Sequence, residues 1–372
     1  MSENISNQTM VKAEQPPTSK QRLSNFDLLK IIAFIFVVVL HFNGLGKALD
    51  YAESNKVTEL LFMIGESIAI VAVPVFVLIT GYFSINNKSF TLKKVLGLYI
   101  MLFAYKALCY LFNNWIFGAG FSTKYFLQCF LPNNYFINFY TVLMVLSPFL
   151  NKLYKNDKKN VFIFLLVFSI FIIALPTVMN MYIRVTGKNE FSGVSFVLTN
   201  GTANGYSLIA FIFFYLVGGF LSAYDIKVKL YISIPLYVLS TTIITLLSYK
   251  SSAAWYYDNI FVIISAVCLM LIFKEIKLKE IKAIGFIAKC SLGVFVLHTT
   301  PLFVESFNLL FSIQERMNQG PGQAILVAMA VISSTLGICT AIDILLRLAV
   351  SPLRNILYKT KFMNYKIFTL KD

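Results

Sequence analysis

Charge is what this chain has least of. Only 13% of its 372 residues are charged, 58% are hydrophobic, and the mean hydropathy is +0.74. A soluble globular domain of this length needs far more polar surface, so that class is excluded and a membrane protein is implied. Runs that alternate apolar and polar residues are missing as well, which argues against a β-barrel. The five cysteines (Cys109, Cys129, Cys268, Cys290, Cys339) show no metal-ligand spacing, and four fall inside apolar runs. They read as packing residues, with no disulfide framework and no metal-ligand set. Residues 1–25 lack the apolar core of a signal peptide; their Ser, Asn, Gln and Pro content reads as a disordered cytoplasmic tail. Acidic residues are also scarce, 17 against 32 basic ones, giving a net charge of +15. That balance suggests nucleic acid in a soluble protein. Here nothing else supports a nucleic-acid partner, and the excess is first a topology signal.

What is present is a series of ten long apolar segments, near residues 26–46, 57–83, 91–117, 134–153, 160–183, 204–224, 229–249, 254–273, 284–312 and 322–346. Each is long enough for a helix to cross a hydrocarbon core of about 30 Å. Of the 32 basic residues, 24 lie at the termini or on alternate connections sharing their side, and seven lie on the other connections. The expectation is an all-α, multi-pass protein of the cell membrane, with about ten transmembrane helices and both termini cytoplasmic. Its parts are a tail over 1–25, a membrane domain over 26–350 and a basic cytoplasmic tail over 351–372. Two outward connections, 118–133 and 184–203, either border a site or simply join helices.

Ionisable groups inside such helices are costly, so each calls for a partner or a task. The first run, "DLLKIIAFIFVVVLHF", holds Lys30 and one of only two histidines, His41. Eleven residues at 100° each come to about 20° from three full turns, so the two share a face, with a rise of about 16.5 Å. Asp27 lies on that face too and can pair with Lys30. The second histidine, His298 in "KCSLGVFVLHTTPLF", follows Lys289 by nine residues, at a depth close to that of His41. An imidazole there can take and return a proton near neutral pH, or can serve as an interhelical hydrogen-bond partner. Two at one depth, one in register with a lysine, favour function. Glu66 can orient a histidine or pair with Lys106, and Asp343 with Arg347 reads as a structural i,i+4 pair. In "PVFVLITGYF", Pro74 and Gly81 mark a place where the helix kinks or something approaches closely.

The ordered set of motifs resembles the membrane acyltransferase-3 family, in its Gram-positive-like branch, over roughly residues 22–350. "DLLK" followed by ten residues and His41 is similar to that family's first-helix signature. "VPVFVLITGYF" resembles its second-helix motif, with Thr80 where serine is usual. "FINFYTVLMVLSPFLNKL" resembles the fourth helix without its usual Trp, "FFYLVGGFLSAYD" the sixth, and "SLGVFVLHTTPLF" the late helix ending in Leu-His. The resemblance implies an acyl-CoA-dependent O-acyltransferase that moves an acyl group, expected to be acetyl from acetyl-CoA, onto a cell-surface or exported glycan. Acyl-CoA is then a donor substrate, with no bound cofactor. The lipid bilayer and the enzymes of envelope polysaccharide synthesis are the implied partners. His41, His298 and Lys30 are the expected catalytic residues; Asp27, Glu66, Tyr82, Lys93 and Lys94 are the expected donor- or substrate-binding residues. Lys93 and Lys94 stand where the family often has Arg-x-x-Arg. The chain ends soon after the tenth run, so an extracytoplasmic hydrolase-like domain is not expected. A flippase or exporter of a lipid-linked glycan is the alternative, though neither an inverted repeat nor a matching pair of broken helices is visible.

Overall fold

The computed structural model describes residues 23–118, 120–187 and 206–370. Most of the expected N-terminal tail and most of the 184–203 connection lie outside the described residues. The helices are α1 (Ser24–Gly44), α2 (Ala48–Ala52), α3 (Lys56–Ala69), α4 (Ala72–Ser84), α5 (Leu92–Phe117), α6 (Thr123–Gln128), α7 (Tyr135–Leu150), α8 (Lys158–Ser169) and α9 (Leu175–Thr186). They continue with α10 (Leu208–Ala223), α11 (Leu230–Ser248), α12 (Ile260–Glu275), α13 (Lys282–Ala288), α14 (Ser291–Leu297), α15 (Pro301–Phe311), α16 (Ile313–Met317), α17 (Pro321–Lys359) and α18 (Lys361–Asn364). Among the described residues, seven helical segments are long and apolar enough to cross a membrane, and α10 is a shorter apolar helix. The protein is an all-α polytopic membrane protein.

Three of the expected runs are interrupted, each beside a proline. The 57–83 run divides into α3 and α4 at Ile70–Val71. Pro74 has no N–H for the Ile70 carbonyl, so the ladder cannot pass through. A π turn, Ile170–Ala174, separates α8 from α9 just ahead of Pro176. The 284–312 run is three helices rather than one. Pro301 opens α15, while the Thr299 and Thr300 hydroxyls turn back to the carbonyls of Val296 (3.0 Å) and Leu297 (2.8 Å). These bonds close the end of α14 and leave His298 as its C-terminal cap.

The last helix also runs past its expected end, to Lys359. Beyond it a short strand, β2 (Lys366–Thr369), pairs antiparallel with β1 (Ser89–Thr91), matching Phe90 with Phe368. Their rings stack at 5.8 Å.

The core has two parts, with α1 between them. Phe26, Leu29 and Ala33 join one cluster, built on α4, α10 and α12; Phe34, Val37, Val38 and Phe42 join the other, with α5, α14 and α17. Helices α4 and α10 touch backbone to backbone. A Cβ on Gly81 would strike the Tyr215 carbonyl, and one on Gly218 would strike the Leu78 carbonyl. Small residues permit this approach in a bilayer, where helix association rests on van der Waals contact. The close approach expected at Gly81 is thus made by the backbone of α10.

Candidate functional site

Helix α1 is unbroken from Ser24 to Gly44, so Lys30 and His41 stand about 16.5 Å apart along it. The break before Pro301 brings His298 against α1 from a helix 257 positions away: His41 Nδ1 and His298 Nε2 are 2.6 Å apart. The other nitrogen of His298, Nδ1, bonds the Val294 carbonyl one turn back. A carbonyl only accepts, so that Nδ1 carries the proton. In the neutral ring Nε2 is then a lone pair, and His41 Nδ1 must donate to it. His41 Nε2 is left as a free lone pair. One backbone carbonyl therefore sets both tautomers and leaves a single unpaired ring nitrogen on His41.

Two cavities approach this pair from opposite ends. Toward Lys30 lies a mostly apolar cavity of about 350 Å³. Lys30 and Lys289 are its cations, Phe76 and Ile79 are among its apolar walls, and it ends at Val37 and Phe295. Val37 is one turn before His41, and the Phe295 ring lies 6.4 Å from the His41 ring. Thr80 and Tyr140 also line a second, polar cavity of about 280 Å³, which carries Lys94, Asn87 and both Ser89 and Thr91 of β1. On the Gly46 side, His41 and His298 face a cavity of about 40 Å³ walled by Val38, Phe42, Phe307 and Val331, with Asn308 and Thr335 as its other polar groups.

The remaining expected residues fall in several places. Asp27 is buried and accepts from the Lys30 ammonium at 3.3 Å, which orients the cation at the cavity's end. Lys94 lines the polar cavity. Lys93 turns away, to Asn364 (3.4 Å) and the face of Tyr358. Tyr82 stacks on Phe26 at 4.9 Å, with the Lys274 ammonium over its ring, and lines neither inner cavity. Glu66 accepts from Asn43 Nδ2 at 2.8 Å, two residues from His41. Of the two roles read for Glu66, orienting a histidine or pairing with Lys106, the pairing does not form. Lys106 instead donates to the Gln128 and Leu131 carbonyls and the Asn133 side chain, adding to the backbone N–H that each carbonyl already accepts.

Asp343 and Arg347 pair at 2.7 Å, as expected, and Tyr105 adds a third partner by donating to the same carboxylate. This cluster sits against Gly293, where a Cβ would collide with Asp343. It therefore seats the helix that carries His298. At the end of the bundle near Lys274, outside the spans, hydrogen bonds from Lys227 and Lys274 hold the Asp225 carboxyl below its ordinary range.

Lys289, Phe295, Tyr140, Asn308 and Thr335 are site residues that the motifs did not single out. A lysine nine residues before His298 was visible in the sequence, but only as a topology marker. The others come from four separate helices and have no local signature.

This arrangement suits proton transfer between a hydroxyl and a leaving group: one oriented base, a cation about 16.5 Å away, and a cavity on either side. A family model for an acyltransferase domain matches residues 23–344. No curated protein and no solved structure matches the chain. With that match spanning nearly all of the described membrane region, the chain belongs to the acyltransferase-3 family and is a membrane acyltransferase.

Proposed function

We propose that the protein transfers an acetyl group from cytoplasmic acetyl-CoA to a hydroxyl of a cell-surface or exported glycan, across the membrane through α1. The observation that carries this reading is the free Nε2 of His41, held by the His298–Val294 chain between the cavity that ends at Val37 and Phe295 and the cavity that the two histidines line. The proposed topology has about ten crossings of the cell membrane and both termini in the cytoplasm, because basic residues concentrate on the Lys30 side.

The donor enters at that side. Lys94 attracts its phosphates, and Lys30 with Lys289 meets the polar groups of its arm. The pantetheine arm spans a length comparable to the Lys30–His41 rise and lies against Phe76 and Ile79. The glycan hydroxyl comes from the other side. His41 Nε2 takes its proton as the oxygen attacks the thioester carbon. The imidazolium so formed is stabilised by the bond from its Nδ1–H to His298. The C–S bond then breaks, the proton passes from His41 to the departing sulfur, and the products are an O-acyl ester and free CoA thiol. General-base assistance of this kind is worth about 10²–10⁴-fold. Acetyl is proposed as the acyl group because the family resemblance implies it.

The test is acyl ester per sugar on surface glycan, measured with total surface glycan and protein level, in wild type and His41→Gln. Loss of ester with glycan and protein retained supports the transferase reading. Loss of surface glycan with accumulation inside the cell shows a carrier and sinks it.

A further inference from the structure

The small cavity at the histidines does not end blindly. Asn308 and Ile313 line it and also line an open cavity of about 460 Å³ at the Gly46 end of the bundle. That mouth lies between α2, which gives Tyr51, and the α15–α16 corner, which gives Ser312, Gln314, Glu315 and Asn318. We infer that this mouth is the acceptor subsite and that it takes a glycan unit free of negative charge. The inference rests on the acyl-transfer reading above and adds to it a place and a charge selection.

Three observations support it. Continuity comes first: Asn308 and Ile313 line both spaces, so the mouth adjoins the cavity that His41 lines. Second is the lining chemistry. Asn308, Gln314, Asn318 and Ser312 offer amide and hydroxyl groups matched to sugar hydroxyls, and Tyr51 offers an aromatic face. Glu315 is the one charged residue of the lining, and no lysine or arginine lines the mouth or the small cavity. An anionic sugar would meet a like charge without a compensating cation. On the Lys30 side every charged lining residue is a lysine.

The third observation is how the mouth is held. Ser312 sits at φ 44 between α15 and α16, and Lys47 at φ 56 precedes α2. Side-chain-bearing residues rarely adopt this region, and such positions persist where the surroundings enforce them. Ser54 Oγ donates to Asn318 Oδ1 at 3.1 Å and ties the α2–α3 connection to α16.

The experiment uses the full chain in lipid nanodiscs with radiolabelled acetyl-CoA. Without acceptor, the rate of thioester hydrolysis is compared between wild type and His41→Gln; this reads the donor reaction alone. Methyl glucoside, glucosamine and glucuronic acid are then offered as acceptors. Acetylation of the first two is expected to exceed that of glucuronic acid about tenfold or more, from like-charge repulsion at Glu315. Glu315→Lys is expected to reverse that preference. Asn308→Ala is expected to raise the acceptor KM about tenfold, the loss of one good hydrogen bond, without moving the acetyl-CoA KM. His41-dependent hydrolysis with no acetylation of any sugar overturns the subsite and leaves the donor reading standing. So does an acceptor preference that Glu315→Lys does not change. Hydrolysis that is independent of His41 overturns both.

Discussion

The two sides of the His41–His298 pair are built differently. Toward Lys30 the space is large, apolar along its length and ringed by lysines; toward Gly46 it narrows to about 40 Å³ and then opens among amides, hydroxyls and one carboxylate. In the proposed reading, charge holds a ligand on one side and hydrogen bonds hold one on the other. A long anionic donor and a short reach of polar acceptor suit these two spaces respectively. In the proposed mechanism the contrast accounts for a cation at one end of α1 and a histidine toward the other: the helix would serve both sides, with the reaction at their boundary.

The strongest way to break this arrangement is at the boundary itself. His41→Gln keeps a hydrogen-bonding group but cannot take a proton, so kcat is expected to fall about 10²–10⁴-fold with membrane level unchanged. Retention of a tenth of wild-type turnover would remove His41 from the base role. Next comes the wall common to both sides. Asp343 is fully buried, and Asp343→Asn leaves Arg347 and Tyr105 without their charge partner. A loss of about 3–5 kcal/mol is expected, read as a lower midpoint in thermal unfolding of the detergent-solubilised protein. An unchanged midpoint would mean that the cluster does not seat α14.

Smaller effects sharpen the comparison side by side. Lys30→Ala is expected to raise the donor KM about tenfold while leaving the acceptor KM alone, and Lys30→Arg is expected to restore most of the loss, since the cation is what matters. A shift confined to the acceptor KM would reverse the assignment of the two sides. The smallest effect separates neighbours. Lys94→Ala is expected to weaken donor binding several-fold, because Lys94 lines the polar cavity. Lys93→Ala is expected to change nothing measurable, because its ammonium faces Asn364 and Tyr358. Equal effects from the two would show that only the net charge of this stretch counts.

Much of this was legible along the chain. The helical class followed from long apolar runs with scarce charge. The register of Lys30 with His41, the pairing of Asp27 with Lys30 and the pairing of Asp343 with Arg347 all followed from helical periodicity. Pro74 announced the division of α3 from α4, and "HTTP" held the signal for the end of α14, although the run was read as continuous. Less of the site's surroundings was visible. Glu66 was given either a histidine or Lys106 as a partner, the second because two opposite charges in apolar helices suggest a pair. Asn43 for Glu66, and the Gln128 and Leu131 carbonyls for Lys106, were nearer partners, and their proximity depends on how the helices pack.

By itself the sequence determined what repeats every turn: which residues are buried in a bilayer, which share a helix face, and where a missing N–H or a returning hydroxyl ends a helix. Only the tertiary structure decided the contacts between elements. It placed His298 Nε2 within 2.6 Å of His41 Nδ1, across 257 positions of chain, and so determined which His41 nitrogen is left without a partner. It aimed Lys94 inward and Lys93 outward, and it joined the mouth at Glu315 to the histidines through Asn308. The physical reason is range. Periodicity and backbone hydrogen bonding act over about four residues, whereas the distance between two side chains on different helices is set by every residue packed between them.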